Sequence, residues 1–126
     1  MPANVTGLVQ ISIRAKDLAR AKTFYRDRLG LRHLFDAPAM SFFDCGGVRL
    51  MLGVAEAGEF DHRASILYYR VADLEGDCAK LKADGVVFRS EPHLVAKLPD
   101  REIWMAFLED TEGNVLALSA ERTTAT

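Results

Sequence analysis

VQISIRAKDL, Val9–Leu18, and SILYYRVADL, Ser65–Leu74, are two versions of one phrase. Each alternates side chains over several residues and then runs into an Asp-Leu pair. In the first copy Val9, Ile11 and Ile13 alternate with Leu8, Gln10, Ser12 and Arg14. In the second, Leu67, Tyr69 and Val71 alternate with Ile66, Tyr68 and Arg70. A period of two marks a strand with one buried face. Asp17 and Asp73 then stand where a side-chain oxygen caps the first turn of a helix.

Helical spacing follows each cap. Leu18, Ala21, Phe24, Tyr25 and Leu29 form one stripe at i, i+3, i+4 steps, ended by Gly30. Leu74, Cys78 and Leu81 form the second stripe, weakened by Gly76 in its first turn and ended near Gly85. Three strands are expected after the first helix: Leu31–Phe35, Met40–Asp44 and Val48–Leu52, the last two joined through Cys45-Gly46-Gly47. After the second helix the candidates are Val86–Arg89 extending toward Ala96, Glu102–Glu109 and Val115–Ala120. Residues 55–63 read as a linker, and Glu121–Thr126 as a frayed polar tail. A repeat of roughly 55 residues points to duplication of one supersecondary unit.

Composition narrows the function. The 126 residues carry a net charge of -2, so no basic excess exists to bind nucleic acid. They are 49% hydrophobic and 27% charged, ordinary for a globular domain. No apolar run reaches the roughly 18 residues a membrane span needs, and no signal-peptide pattern opens the chain. Cys45 and Cys78 form neither a CxxC pair nor a disulfide framework, which fits a cytoplasmic protein.

Three segments resemble the glyoxalase/bleomycin-resistance (vicinal oxygen chelate) superfamily: QISIRAKDLARAKTFYRDRLGL at Gln10–Leu31, GGVRLMLG at Gly46–Gly53 and FLEDTEGNVLAL at Phe107–Leu118. Thr111 stands where the superfamily usually has proline. The resemblance implies an α+β fold for residues 1–126 as a single domain. Its two βαβββ modules, about 5–54 and about 63–120, would form a curled mixed sheet around a cleft, helices outside. It also implies dimerisation and, in many members, a divalent metal held by the first and fourth strands of each module. Carried onto this chain, those four positions are Gln10, Leu50, Ile66 and Ala117. Only Gln10 offers a donor atom, so no metal and no other cofactor is expected. His33, His62 and His93 fall in three separate segments and make no ligand pair at i, i+2 or i, i+4.

If the alternation holds, one face gathers Gln10, Ser12 and Arg14 from the first module and Ile66, Tyr68 and Arg70 from the second. Leu50 and Ala117 would make its floor apolar. Two guanidinium groups there would hold a polar or anionic ligand, or else sit at strand ends in solvent. The connection between Pro92 and Pro99 would bring His93 and Trp104 against a ligand, or else Trp104 is core and His93 faces solvent. Cys78 reads as core, and Cys45 has no basic neighbour in sequence to activate it. The expectation is a cytoplasmic homodimer that binds a small organic molecule in an apolar cleft without metal. The alternative is a lyase, isomerase or epimerase of the same superfamily, using acid/base side chains or a displaced metal.

Overall fold

The structure, a computed structural model, describes residues 3–54 and 65–124. His62 and the linker expected over 55–63 lie outside the described residues. The chain divides into two compact units, residues 1–63 and 64–126. In the first, β1 (Gln10–Arg14) leads into α1 (Leu18–Thr23) and then β2 (Arg32–Ala37), β3 (Met40–Cys45) and β4 (Val48–Gly53). In the second, β5 (Leu67–Arg70) leads into α2 (Leu74–Ala83) and then β6 (His93–Lys97), β7 (Arg101–Glu109) and β8 (Val115–Thr123). The sheet orders are β1-β4-β3-β2 and β5-β8-β7-β6. β1 runs parallel to β4 and β5 to β8, while the remaining pairs are antiparallel. Each unit is therefore a βαβββ module, and the repeat of sequence is a repeat of topology.

The caps form as the sequence demands. Asp17 Oδ1 accepts from the Arg20 N–H at 3.1 Å, and Asp73 Oδ1 accepts from the Gly76 N–H at 3.0 Å. Gly76 has a reason to be glycine: a Cβ there would stand 2.1 Å from Asp73 Oδ2. α1 does not keep one pitch. It widens into a π-helical turn over Phe24–Arg28, in which the Leu29 N–H reaches back to the Phe24 carbonyl. The wide turn buries the adjacent Phe24 and Tyr25 together, rings edge to face at 5.1 Å.

Each helix packs on one face of its own sheet. In the first unit that face carries Ile13, Leu50, Leu52, Phe43 and Ser41, all buried with Ala21, Phe24 and Tyr25. In the second it carries Leu108, Ala106, Leu116, Leu118 and Ala120, buried with Leu74, Cys78 and Leu81. Two expectations are corrected here. The segment between Pro92 and Pro99 is an outer strand paired to β7, because both prolines lie beyond its ends, and Val86–Arg89 contributes only the Phe88–Leu108 bridge. The frayed tail is absent up to Thr123. β8 continues because Glu102 pairs with Arg122 and Ile103 with Glu121 across the ladder.

Replacing Asp73 with Ala should cost about 1 kcal/mol of unfolding free energy by urea titration. Adding Gly76→Ala on that background should recover about 1 kcal/mol, since the new Cβ no longer meets a carboxylate.

Candidate functional site

The face of each sheet turned away from its helix, the far face, is where the polar and aromatic residues not used by the core collect. In the first unit strand pairing sets Gln10 beside Arg49, Ser12 beside Met51 and Met51 beside Phe42. Gln10 Oε1 accepts from Arg49 Nε at 2.7 Å, and Gln10 Nε2 donates to Met51 Sδ at 3.6 Å. The Arg49 guanidinium lies over the Phe42 ring, 5.8 Å from its centre. Phe35 stacks on Phe42 at 4.4 Å yet remains 48% exposed. Arg14, at the end of β1, is half-buried on the same face.

In the second unit β5 pairs Tyr68 with Ala117, and β7 pairs Phe107 with Ala117 from the other side. Ala117, 0% exposed, lies between two aromatic residues whose rings meet edge to face at 6.0 Å. Tyr68 is 53% exposed. His93, opposite Met105, stands 6.2 Å from the Phe107 ring. Its Nδ1 hydrogen-bonds the Glu91 carbonyl at 2.8 Å, so Nδ1 carries the proton of that bond. Arg70 and Ile66 are exposed, with Ile66 one residue before β5.

The structure thus groups Gln10, Ser12 and Arg14 on one far face, and Tyr68, Arg70, Ala117 and His93 on the other. It does not place Leu50 or Trp104 with them. Leu50 pairs with Ile11 and Phe43 on the helix side and is 2% exposed. The slip is one residue. β3 and β4 are joined by a two-residue turn in which Gly46 and Gly47 both have positive φ, and counting from Gly47 gives Met51 on the far face. Trp104 pairs with Ala120, so it too faces the helix side. There its indole N–H donates to Glu102 Oε1 at 2.9 Å. Arg122 covers its ring at 4.6 Å and bonds Glu75 of α2.

Sequence reasoning missed Phe35, Arg49 and Phe107; it counted Phe42 and Met51 among apolar strand residues of which some would line the cleft, without assigning them a face. For Phe42, Arg49 and Met51 the glycine pair was the signal, because it fixes Asp44 opposite Arg49 and hence the parity of the β3–β4 hairpin. His33 serves structure. It packs on Phe43 and joins Lys22 and Ser41 in holding Asp36, at 2.8, 2.8 and 2.7 Å.

The family model of the Glyoxalase/Bleomycin resistance protein/Dioxygenase superfamily matches residues 7–118. The chain belongs to that superfamily. No curated protein matches it in sequence. Solved glyoxalase-superfamily structures share its fold. A glyoxalase/bleomycin resistance protein/dioxygenase of Alicyclobacillus acidocaldarius is 20% identical, with a TM-score of 0.69 and 90% of each chain covered. A lactoylglutathione lyase of Agrobacterium tumefaciens is 20% identical, with a TM-score of 0.68, covering 94% of this chain and 96% of its own. A glyoxalase family protein of Bacillus anthracis is 16% identical, with a TM-score of 0.74 over 97% and 100%.

The donor set does not fit the divalent metal that the superfamily implies. Among the described residues no three His, Cys, Asp or Glu side chains lie close enough together to hold an ion. On the far faces the first and fourth strands of the two units offer Gln10, Ser12, Met51, Tyr68, Ala117 and Ser119, with a single carboxylate, Glu121, that is already paired to Arg101 at 2.9 Å. The amide oxygen of Gln10 already accepts from a guanidinium, which puts positive charge where a cation would have to sit. Neither thiol is activated. Burial, and next the Asp44 carboxylate, raise the pKa of Cys45; burial raises that of Cys78.

Lys22, His33 and Ser41 hold the Asp36 carboxyl well below the usual carboxylate range, Lys22 contributing most. A depressed acid stabilises the fold fully above its unfolded pKa and loses that contribution as pH falls. Acid titration of unfolding should therefore show stability declining from about pH 4 downward, with a shallower decline in Asp36→Asn.

Proposed function

We propose that this glyoxalase-superfamily chain binds a small, partly apolar organic molecule against the far faces of its sheets, without a metal ion. One observation carries the reading: the Phe35 and Tyr68 rings stand about half exposed on the face opposite the helix, each against a second, more buried aromatic ring. Phe35 stacks on Phe42 in the first unit, and Tyr68 meets Phe107 beside His93 in the second. Rings held this way by strand pairing are pre-formed walls for a planar ligand. The donor chemistry supports the same reading, since among the described residues no three His, Cys, Asp or Glu side chains gather to hold the ion that metal-assisted chemistry needs.

Covering one ligand ring supplies about 2 kcal/mol from area and about 1 kcal/mol from aromatic contact. Binding through the rings alone is then weak, about millimolar, and directed polar contacts must supply the remainder. A screen of small aromatic compounds, followed by NMR shifts of assigned side chains, should move Phe35, Phe42, Tyr68 or Phe107. The Trp104 indole N–H should stay still, and a chelator should change nothing. Shifts confined to Trp104, or binding abolished by the chelator, count against the reading.

We also infer a homodimer in the cytoplasm, in keeping with the cysteine usage. Among the described residues no helix is long and apolar enough to cross a membrane. The outer strand β6 leaves Leu94 and Val95 exposed, an apolar edge of the kind a second copy covers. Light scattering should give twice the 14.0 kDa of one chain; a monomer mass at micromolar concentration rejects the dimer.

A further inference from the structure

We infer that Arg49 is the specificity-determining residue of the first unit's far face, and that the molecule it selects is a planar aromatic carboxylate. The inference rests on the small-molecule reading above and names the ligand class. Two contacts hold the guanidinium before any ligand arrives, and a third steadies one of its partners. Gln10 Oε1 takes its Nε–H at 2.7 Å, the Phe42 ring lies beneath it at 5.8 Å, and Gln10 is itself steadied by Met51 Sδ at 3.6 Å. Among the described residues the Arg49 side chain forms no other hydrogen bond or ion pair, so its two terminal nitrogens keep their donors.

The acid nearest in the ladder, Asp44, is turned to other work. Its Oδ1 accepts from the Gly47 N–H at 3.3 Å, and its Oδ2 lies 3.8 Å from Arg32. Arg49 is thus not neutralised by its cross-strand partner. A guanidinium presents its N–H groups as a planar fork that fits the two oxygens of a carboxylate. The exposed Phe35 ring of β2 stacks on the Phe42 ring of β3 that Arg49 of β4 overlies, and offers a flat apolar surface on the same sheet face. Fork and ring on one sheet face match an anion carried on a flat apolar body. Gln10 acts as a positioning residue. Its amide oxygen takes one N–H and leaves the others to the ligand.

The test compares 2-naphthoate with the neutral 2-naphthalenemethanol, each titrated into the whole chain and followed by the NMR shifts of Phe35 and Phe42. Naphthoate should bind about tenfold more tightly, an advantage that shrinks as salt is added. In Arg49→Gln the two probes should bind alike, while Arg49→Lys, which keeps the charge but not the fork, should retain only part of the preference. Gln10→Ala should lower the preference without removing it. Equal affinity for the two probes in the unaltered protein overturns the role of Arg49 and leaves the small-molecule reading standing. Binding of neither probe, at Phe35, Phe42 or any other aromatic residue, overturns the small-molecule reading itself.

Discussion

Side chains on a strand alternate between two faces, and only one face of each sheet here is covered by its helix. That constraint organises everything else in the protein. It requires Ile13, Leu50, Leu52 and Phe43 to face α1, and Leu108, Leu116 and Leu118 to face α2. It thereby hands every intervening position to the far face, where packing against the helix no longer dictates identity. Gln10, Arg49, Phe42 and Met51 alternate with core residues in the first unit, as Tyr68, Ala117 and Phe107 do in the second. The chemistry of the site is therefore written in the gaps of the core pattern.

Most of the fold was legible because its signals are local. Asp17 and Asp73 cap helices through bonds spanning three residues, and Gly46-Gly47 closes a two-residue turn. The repeated phrase gave both modules and the family. What could not be read locally was parity across a hairpin. Counting from Gly46 in place of Gly47 sent Leu50 to the wrong face, since a single residue inverts a strand. Trp104 failed for a related reason. Its strand was foreseen, but its face depends on pairing with Ala120, which lies beyond the turn on the other arm of the hairpin. The π-helical turn after α1 had no sequence marker; only the joint burial of Phe24 and Tyr25 accounts for it.

The two modules share strand order, cap and crossover, yet their far faces differ. One joins an aromatic stack to a guanidinium and an amide; the other joins tyrosine, phenylalanine and histidine around a buried alanine. After a duplication the helix-side residues of each copy stay bound by the same packing demands. The opposite side is released from them.

Trp104 is the chain's single tryptophan, and it sits on the helix side of the second unit, bonded to Glu102 and covered by an arginine that α2 holds. Intrinsic emission from this protein accordingly reports the integrity of one half. A fluorescence melt follows the docking of α2 on its sheet and is blind to the first unit, whose buried Tyr25 gives only a weak signal of its own. Comparing that melt with circular dichroism, which sees both halves, distinguishes a chain that unfolds in one cooperative step from one whose duplicated units come apart in turn.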